Sequence, residues 1–289
     1  MTFIMPMDIL GAPTFGYFGN AADGTITETS NTTRDFLRCD SYTVNSGVTI
    51  TPTTTPGGIF IIAKTRITIN GTLDCKGKGN AANTGGFGKT GSLPTGGVAG
   101  GVYYLASHAM MTLDAKDKVL DNQVGAGGAT GETGTSSVVG LGGGGAGAYV
   151  GGGSGSNGGT SAGAAGAAGA GGTGGGFIIL IAPSIIISST AVVRVDGNVG
   201  GNSTSNSGAG GGGAGGFIML IAGSVGIDSA ATFTALGGNG GKSDNYTGGN
   251  GGAAFKGGIN STAGSGTGGG AGGGGAGGII MQKKVLPPT

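Results

Sequence analysis

Short apolar runs and alternating stretches, separated by glycine, set the pattern of this chain. Two segments show it most clearly: GGFIILIAPSIIISSTAVVRVDGNVGG, from Gly175, and GGFIMLIAGSVGIDSAATFTALGGNGG, from Gly215. They align without a gap, 40 residues apart. A third copy, GGVYYLASHAMMTLDAKDKVLDNQVGAGG from Gly100, starts and ends like the others but carries Lys116 and Lys118 where they are apolar or small. A fourth, GGIFIIAKTRITINGTLDCKGKG from Gly57, has small deletions, and GGIIMQKKV from Gly277 is a truncated copy. Self-similarity at such a period is the mark of a repeat architecture.

Each copy reads as two strands. The first is a continuous Ile-rich run, FIILIA or FIMLIA, which predicts a strand covered on both faces. A turn is expected next, at Pro183-Ser184 and at Gly223-Ser224. The second strand alternates. Val193 and Val195 share a face with Phe233 and Ala235, while Arg194 and Thr234 point away, as in a half-exposed strand. Tyr42, Val44, Val48 and Ile50 repeat that alternation around Asn45-Ser46-Gly47.

Glycine tracts separate the copies. Gly163, Gly166, Gly169, Gly172 and Gly175 keep a triplet, the period of a polyproline II helix. Collagen would need abundant proline, and the chain has 8, none of them in this tract. Packed polyglycine helices, layered over the outer faces of the apolar strands, are the better expectation, because glycine lets backbones approach closely. A flexible linker is the alternative for each tract.

The expected fold is therefore all-β: β-solenoid-like repeats of two strands each, interleaved with glycine-rich polyproline-II-type tracts. Open strand edges invite association, so an elongated homo-oligomer is expected, a homotrimer around a long axis. Three regions follow: an N-terminal attachment segment over 1–37, a first β repeat region over 38–99, and a glycine-rich repeat body with loops and a truncated last repeat over 100–289.

Composition qualifies this picture. Glycine supplies 76 of 289 residues, which by default signals a disordered chain. Disordered chains are rich in charge and poor in β-branched residues, whereas here 9% of residues are charged and the apolar runs are long. Lys plus Arg total 14 against 13 acids, and no basic stripe along the sequence calls for nucleic acid or anionic lipid. No apolar run reaches the ~18 residues of a membrane span. MTFIMPMDILGAPTF lacks a basic n-region and a cleavage site, so synthesis in a cytoplasm without secretion is expected. Cys39 and Cys75 are too few for a disulfide framework. They read as two small, partly buried hydrophobes, with a disulfide between adjacent rungs as the alternative.

The stretch from Ala22 to Pro52 contains Asp23-Gly24, Thr25-Ile26, Thr33-Arg34-Asp35, Tyr42 and Asn45 to Thr49, and Ile69 to Thr72 follows. In that order these resemble the opening of glycine-rich bacteriophage tail and fibre proteins. The glycine tracts are similar to those of tip adhesins of T-even-like phages, although here long Ile-rich strands interrupt them. The resemblance covers about the first third of the chain. It implies a virion protein of the tail or a surface appendage, with other virion subunits and a host cell-surface receptor, protein or glycan, as partners. It implies no catalytic residues.

Candidate chemistry is sparse. A catalytic triad needs a base beside a nucleophile, and His108, the single histidine, sits in the degenerate copy. A glycan-cleaving tailspike needs paired carboxylates. Asp114, Asp117 and Asp121 alternate with lysines as on a solvated face, and Asp196 and Asp228 occupy different repeat positions. Metal-ligand spacing and phosphate-binding loops are absent from the sequence, so no enzyme, metal or cofactor is expected.

Binding loops remain. Three polar islands interrupt the glycine: Asn202 to Ser207, Lys242 to Thr247 and Phe255 to Thr262. Their mixture of aromatics with adaptable polar groups is typical of recognition loops. Candidate receptor contacts are Asn202, Ser203, Thr204, Asn206, Lys242, Asp244, Asn245, Tyr246, Phe255 and Lys256. The plainer alternative for any one loop is a solvated turn. The function expected is a structural tail or fibre protein that binds a host receptor through these loops. The alternative is a purely architectural part of the particle.

Overall fold

The computed structural model describes residues 23–55, 57–79, 169–204, 209–242 and 279–284. Among them every regular element is a strand: β1 (Thr25–Glu28), β2 (Thr32–Thr33), β3 (Phe36–Val44), β4 (Thr49–Thr51), β5 (Gly58–Ile69), β6 (Thr72–Asp74), β7 (Phe177–Ile187), β8 (Val192–Arg194), β9 (Phe217–Ile227), β10 (Thr232–Thr234) and β11 (Ile279–Lys284). Long strands form a six-stranded sheet in the order β1-β3-β5-β7-β9-β11. Short ones form a five-stranded sheet in the order β10-β8-β6-β4-β2. All pairings are parallel. The chain thus alternates between sheets, a long strand followed by a short one.

The 40-residue period is the register of this pairing. Phe177 pairs with Phe217, Ile178 with Ile218 and Leu180 with Leu220. The truncated copy continues it, Ile279 lying opposite Phe217. Inward residues of both sheets make one core. Ile50, Leu73 and Val193 from the short strands meet Tyr42, Ile61, Ile67, Leu180 and Ile185 from the long ones. Each fully buried side chain of this size contributes about 1.5–3 kcal/mol. As the alternation predicts, Val193, Val195 and Ala235 are buried with Phe233 packed against them, while Arg194 and Thr234 are half-exposed. Tyr42, Val44, Val48 and Ile50 are likewise buried, around a turn in which Gly47 takes φ +79°.

The apolar runs are covered on both faces as expected: Phe177 and Ile179 are as buried as Ile178 and Leu180. The turn expected at Pro183-Ser184, and at Gly223-Ser224, is not there. β7 and β9 run straight through both positions, and each chain turns at 188–191 and 228–231 instead. The proline is tolerated because it faces an irregularity. Cys39 pairs with Ala63 but Ser41 with Arg66, so β5 carries one extra residue, a bulge. Neither neighbour of β7 pairs with Pro183. A strand accepts proline where no ladder donor is required.

The copy from Gly57 also aligns differently from its sequence. Gly58, not Ile59, pairs with Phe177, and the connection after β5 is two residues shorter than after β7. β5 pairs directly with β7 and β6 with β8, and the copy from Gly100 lies outside the described residues. Strands begin at Thr25, inside the segment read as N-terminal attachment. Cys39 and Cys75 are free thiols and fully buried, more completely than expected. The Cys75 thiol donates to the Phe177 carbonyl at 3.3 Å. Burial pushes the Cys39 thiol up to about 11 and the Cys75 thiol further still, so both stay neutral.

Candidate functional site

Four glycine-rich segments, 169–176, 195–203, 209–216 and 236–242, bond to one another through every third amide. Gly172 and Gly175 donate to Gly211 and Ala214, each at 2.8 Å. Gly197, Gly200 and Ser203 donate to Leu236, Asn239 and Lys242. In both sets donor and acceptor numbers rise together, so those neighbours run parallel. Gly210, Gly213 and Gly216 donate to Gly201, Asn198 and Val195, falling as the donors rise, so this contact is antiparallel. Close approach demands glycine here: a Cβ on Gly213 or Gly216 would overlap the carbonyl oxygens of Thr173 or Gly176.

Side chains appear where the triplet points outward. Val199, Asn202, Leu236, Asn239 and Lys242 are exposed, each three residues from the next in its segment. Two of the side chains on segment 195–203 also satisfy amides of its parallel neighbour. Asp196 Oδ1 accepts from the Leu236 amide at 2.8 Å, and Asn202 Oδ1 from the Lys242 amide at 2.9 Å, both across 40 residues.

This arrangement brings together residues from two of the three polar islands. Asn202 and Lys242 are joined by that bond, and Ser203 donates its amide to the Lys242 carbonyl at 3.0 Å. The roots of two polar loops therefore lie side by side. Asn202, Thr204 and Lys242 are exposed, whereas Ser203 is buried, its hydroxyl without a hydrogen-bond partner among the described residues. Ser203 thus belongs to the packed layer rather than to an exposed contact surface. Asn206, Asp244, Asn245, Tyr246, Phe255 and Lys256 lie outside the described residues, as do His108, Asp114, Asp117 and Asp121.

Five of the described carboxylates, Glu28, Asp35, Asp74, Asp196 and Asp228, have structural partners. Asp74 receives Arg194 Nε at 2.8 Å and Arg194 Nη2 at 2.6 Å across the β6–β8 pair. Burial works to raise the Asp74 pKa, yet the Arg194 bonds and the Lys76 amide hold it below its ordinary value. Asp196 accepts from Thr234 Oγ1 at 3.0 Å, and Asp228 caps its own turn through the Ala230 amide. Glu28, largely buried, pairs with Arg34 at 2.7 Å. The Tyr42 hydroxyl is buried beside this pair without a hydrogen-bond partner among the described residues, and burial, reinforced by Glu28, pushes its pKa well up. Among the described residues no three His, Cys, Asp or Glu side chains are grouped to hold a metal. No helix among them is long and apolar enough to cross a membrane.

Sequence reading missed the Asp74–Arg194 pair because the two residues are 120 positions apart. The usable signal was that each stands third in its short strand. Comparison with protein-family models, with curated proteins and with solved structures found no match.

Proposed function

We propose that this chain is a non-catalytic structural protein of a virus particle, a phage tail or fibre component that binds a host surface receptor through loops between its glycine-rich repeats. The fold behind this reading is a β-solenoid of two-strand rungs flanked by packed polyproline-II-type glycine helices. It assembles as a homotrimer with other virion subunits. The observation that carries the binding role is the bonded contact between Asn202 and Lys242. It joins the first residues of the islands Asn202 to Ser207 and Lys242 to Thr247, whose adaptable polar groups and aromatic Tyr246 suit recognition. The rigid layer beneath lowers the entropic cost of ordering them.

The test is attachment of purified protein to candidate host cells. Wild type should bind, and replacing either island by glycine should weaken binding at least tenfold without lowering the melting temperature. Protein that attaches to no cell, and is found between other subunits in images of the particle, would establish the architectural role instead.

A further inference from the structure

β11 covers half of the rung it joins. It pairs with residues 217–222 of β9, and among the described residues no strand pairs with the outer side of 224–227 or of β10. The core is open there. Ile227 is 42% exposed, whereas Ile187, its partner one rung back, is 1% exposed. Val225 and Phe233 are partly buried, whereas their partners Ile185 and Val193 are fully buried. The other end of the two sheets is stepped the opposite way. Followed across β3, β5 and β7, Thr25–Glu28 of β1 lie level with 224–227 of β9. Followed across β4, β6 and β8, Thr32 lies level with Phe233. β1 does not reach the first half of β3, where Phe36 is 52% exposed and lies level with Met281 of β11. One end therefore projects in the half of the rung that the other end lacks.

Backbone polarity matches as well. In a parallel ladder the amide and carbonyl of one residue face the same neighbour, and the next residue faces the other way. The Gly24 and Glu28 carbonyls accept from Asp40 and Asn45 on the β3 side, so Thr25 and Thr27 turn their backbone groups outward. At the opposite end the Asp228 amide donates back to Ile187, so Ile227 and Val225 turn theirs away from β7. The short strands obey the same rule. Arg34 donates to Thr51 and Thr232 to Ala191, which leaves Thr33 and Phe233 facing outward.

We propose that copies of this chain stack head to tail, β1 and β2 of one copy completing the half-rung beside β9 and β10 of the copy before it. Both sheets then continue in register, with Ile26 over Val225, Thr32 over Phe233, and the first half of β3 beside β11. The Glu28–Arg34 pair meets Ile227, and because the two charges already neutralise each other, covering them leaves neither unpaired. The two surfaces differ, so the contact is heterologous and the stack open-ended. An extended peptide of another protein can add to a free edge. A missing half-rung and a projecting half-rung at the two ends of one chain fit a second copy better. The contact uses the ends of the sheets and does not depend on the loops at Asn202 and Lys242.

The test is analytical ultracentrifugation of the full chain at rising protein concentration. Wild type should gain mass with concentration and reach no fixed size. Ile227→Lys puts a charge on the open core at one end. Thr27→Pro removes an outward amide at the other and spares the ladder to β3. Each variant should keep a size that does not change with concentration, with an unchanged melting temperature. Thr33→Pro repeats the second block on the short strand if Thr27→Pro is unstable. Mixed in equal amounts, the Ile227→Lys and Thr27→Pro variants should join through their intact ends, so that the size doubles and stops there. The proposal is overturned if wild-type size is independent of concentration, or if Ile227→Lys assembles as wild type does. It is equally overturned if the mixed variants stay at the size of each alone.

Discussion

Substituting Gly213 by alanine tests whether the glycine segments are packed or merely connect strands. The added Cβ would overlap the Thr173 carbonyl oxygen, which belongs to backbone and cannot rotate away. Forcing an extra carbon into a packed site costs about 1–3 kcal/mol. Gly213 also donates to Asn198 at 2.9 Å and accepts from Gly238 at 2.8 Å. Distorting both bonds removes about 1 kcal/mol each. The expected loss is about 3–5 kcal/mol, a large part of the ~5–15 kcal/mol that holds a typical domain together. At about 2–4 °C per kcal/mol for a chain of this class, melting should fall by about 6–20 °C. Gly226→Ala is the matched control. It lies in β9 with nothing within 4 Å of an added Cβ. There alanine should be neutral or stabilise by up to about 1 kcal/mol, because it restricts the unfolded chain. Thermal melting followed by circular dichroism compares the two. If the segments were flexible linkers, both variants would melt alike, and agreement within about 2 °C would refute the packing argument.

Two further outcomes follow. In urea unfolding, Val193→Asp should cost several kcal/mol by burying an unpaired charge. Arg194→Asp should cost about 1 kcal/mol by replacing a half-exposed ion pair with a like-charge contact to Asp74, and equal losses would refute the face assignment. The Asp74 carboxyl is held below its ordinary value when folded. Its contribution is therefore complete above the unfolded pKa of about 3.9 and lost as pH falls through the lower folded value. Asp74→Asn should flatten the stability profile in that acid window, and an unchanged profile would count against the pair.

Much of the strand pattern was legible because one physical rule repeats. Phe177 and Phe217 carry the same residue at the same depth, and a parallel ladder rewards that identity. The turn at Pro183 was misplaced because proline and serine are local turn signals, whereas the β5 bulge that accommodates the proline lies in another copy. Of the loops proposed to bind a receptor, the sequence located the islands. That Ser203 is buried could not be read from it, because Ser203 takes a triplet position held by glycine at Gly197 and Gly200.

The direct pairing of β5 with β7 has a consequence for how the molecule assembles. Neighbouring rungs elsewhere close over spans such as the 40 residues between Asp196 and Leu236, but this seam joins Asp74 to Arg194 across 120. Bringing the ends of the longer loop together costs about 1 kcal/mol more in chain entropy. Long-range closures also slow folding. During synthesis β1 to β6 can therefore nucleate as one unit and β7 to β10 as another, with the seam closing last. A seam that already tolerates so long an excursion is also the natural place for evolution to lengthen, exchange or remove sequence, since the register of every other rung is set without it.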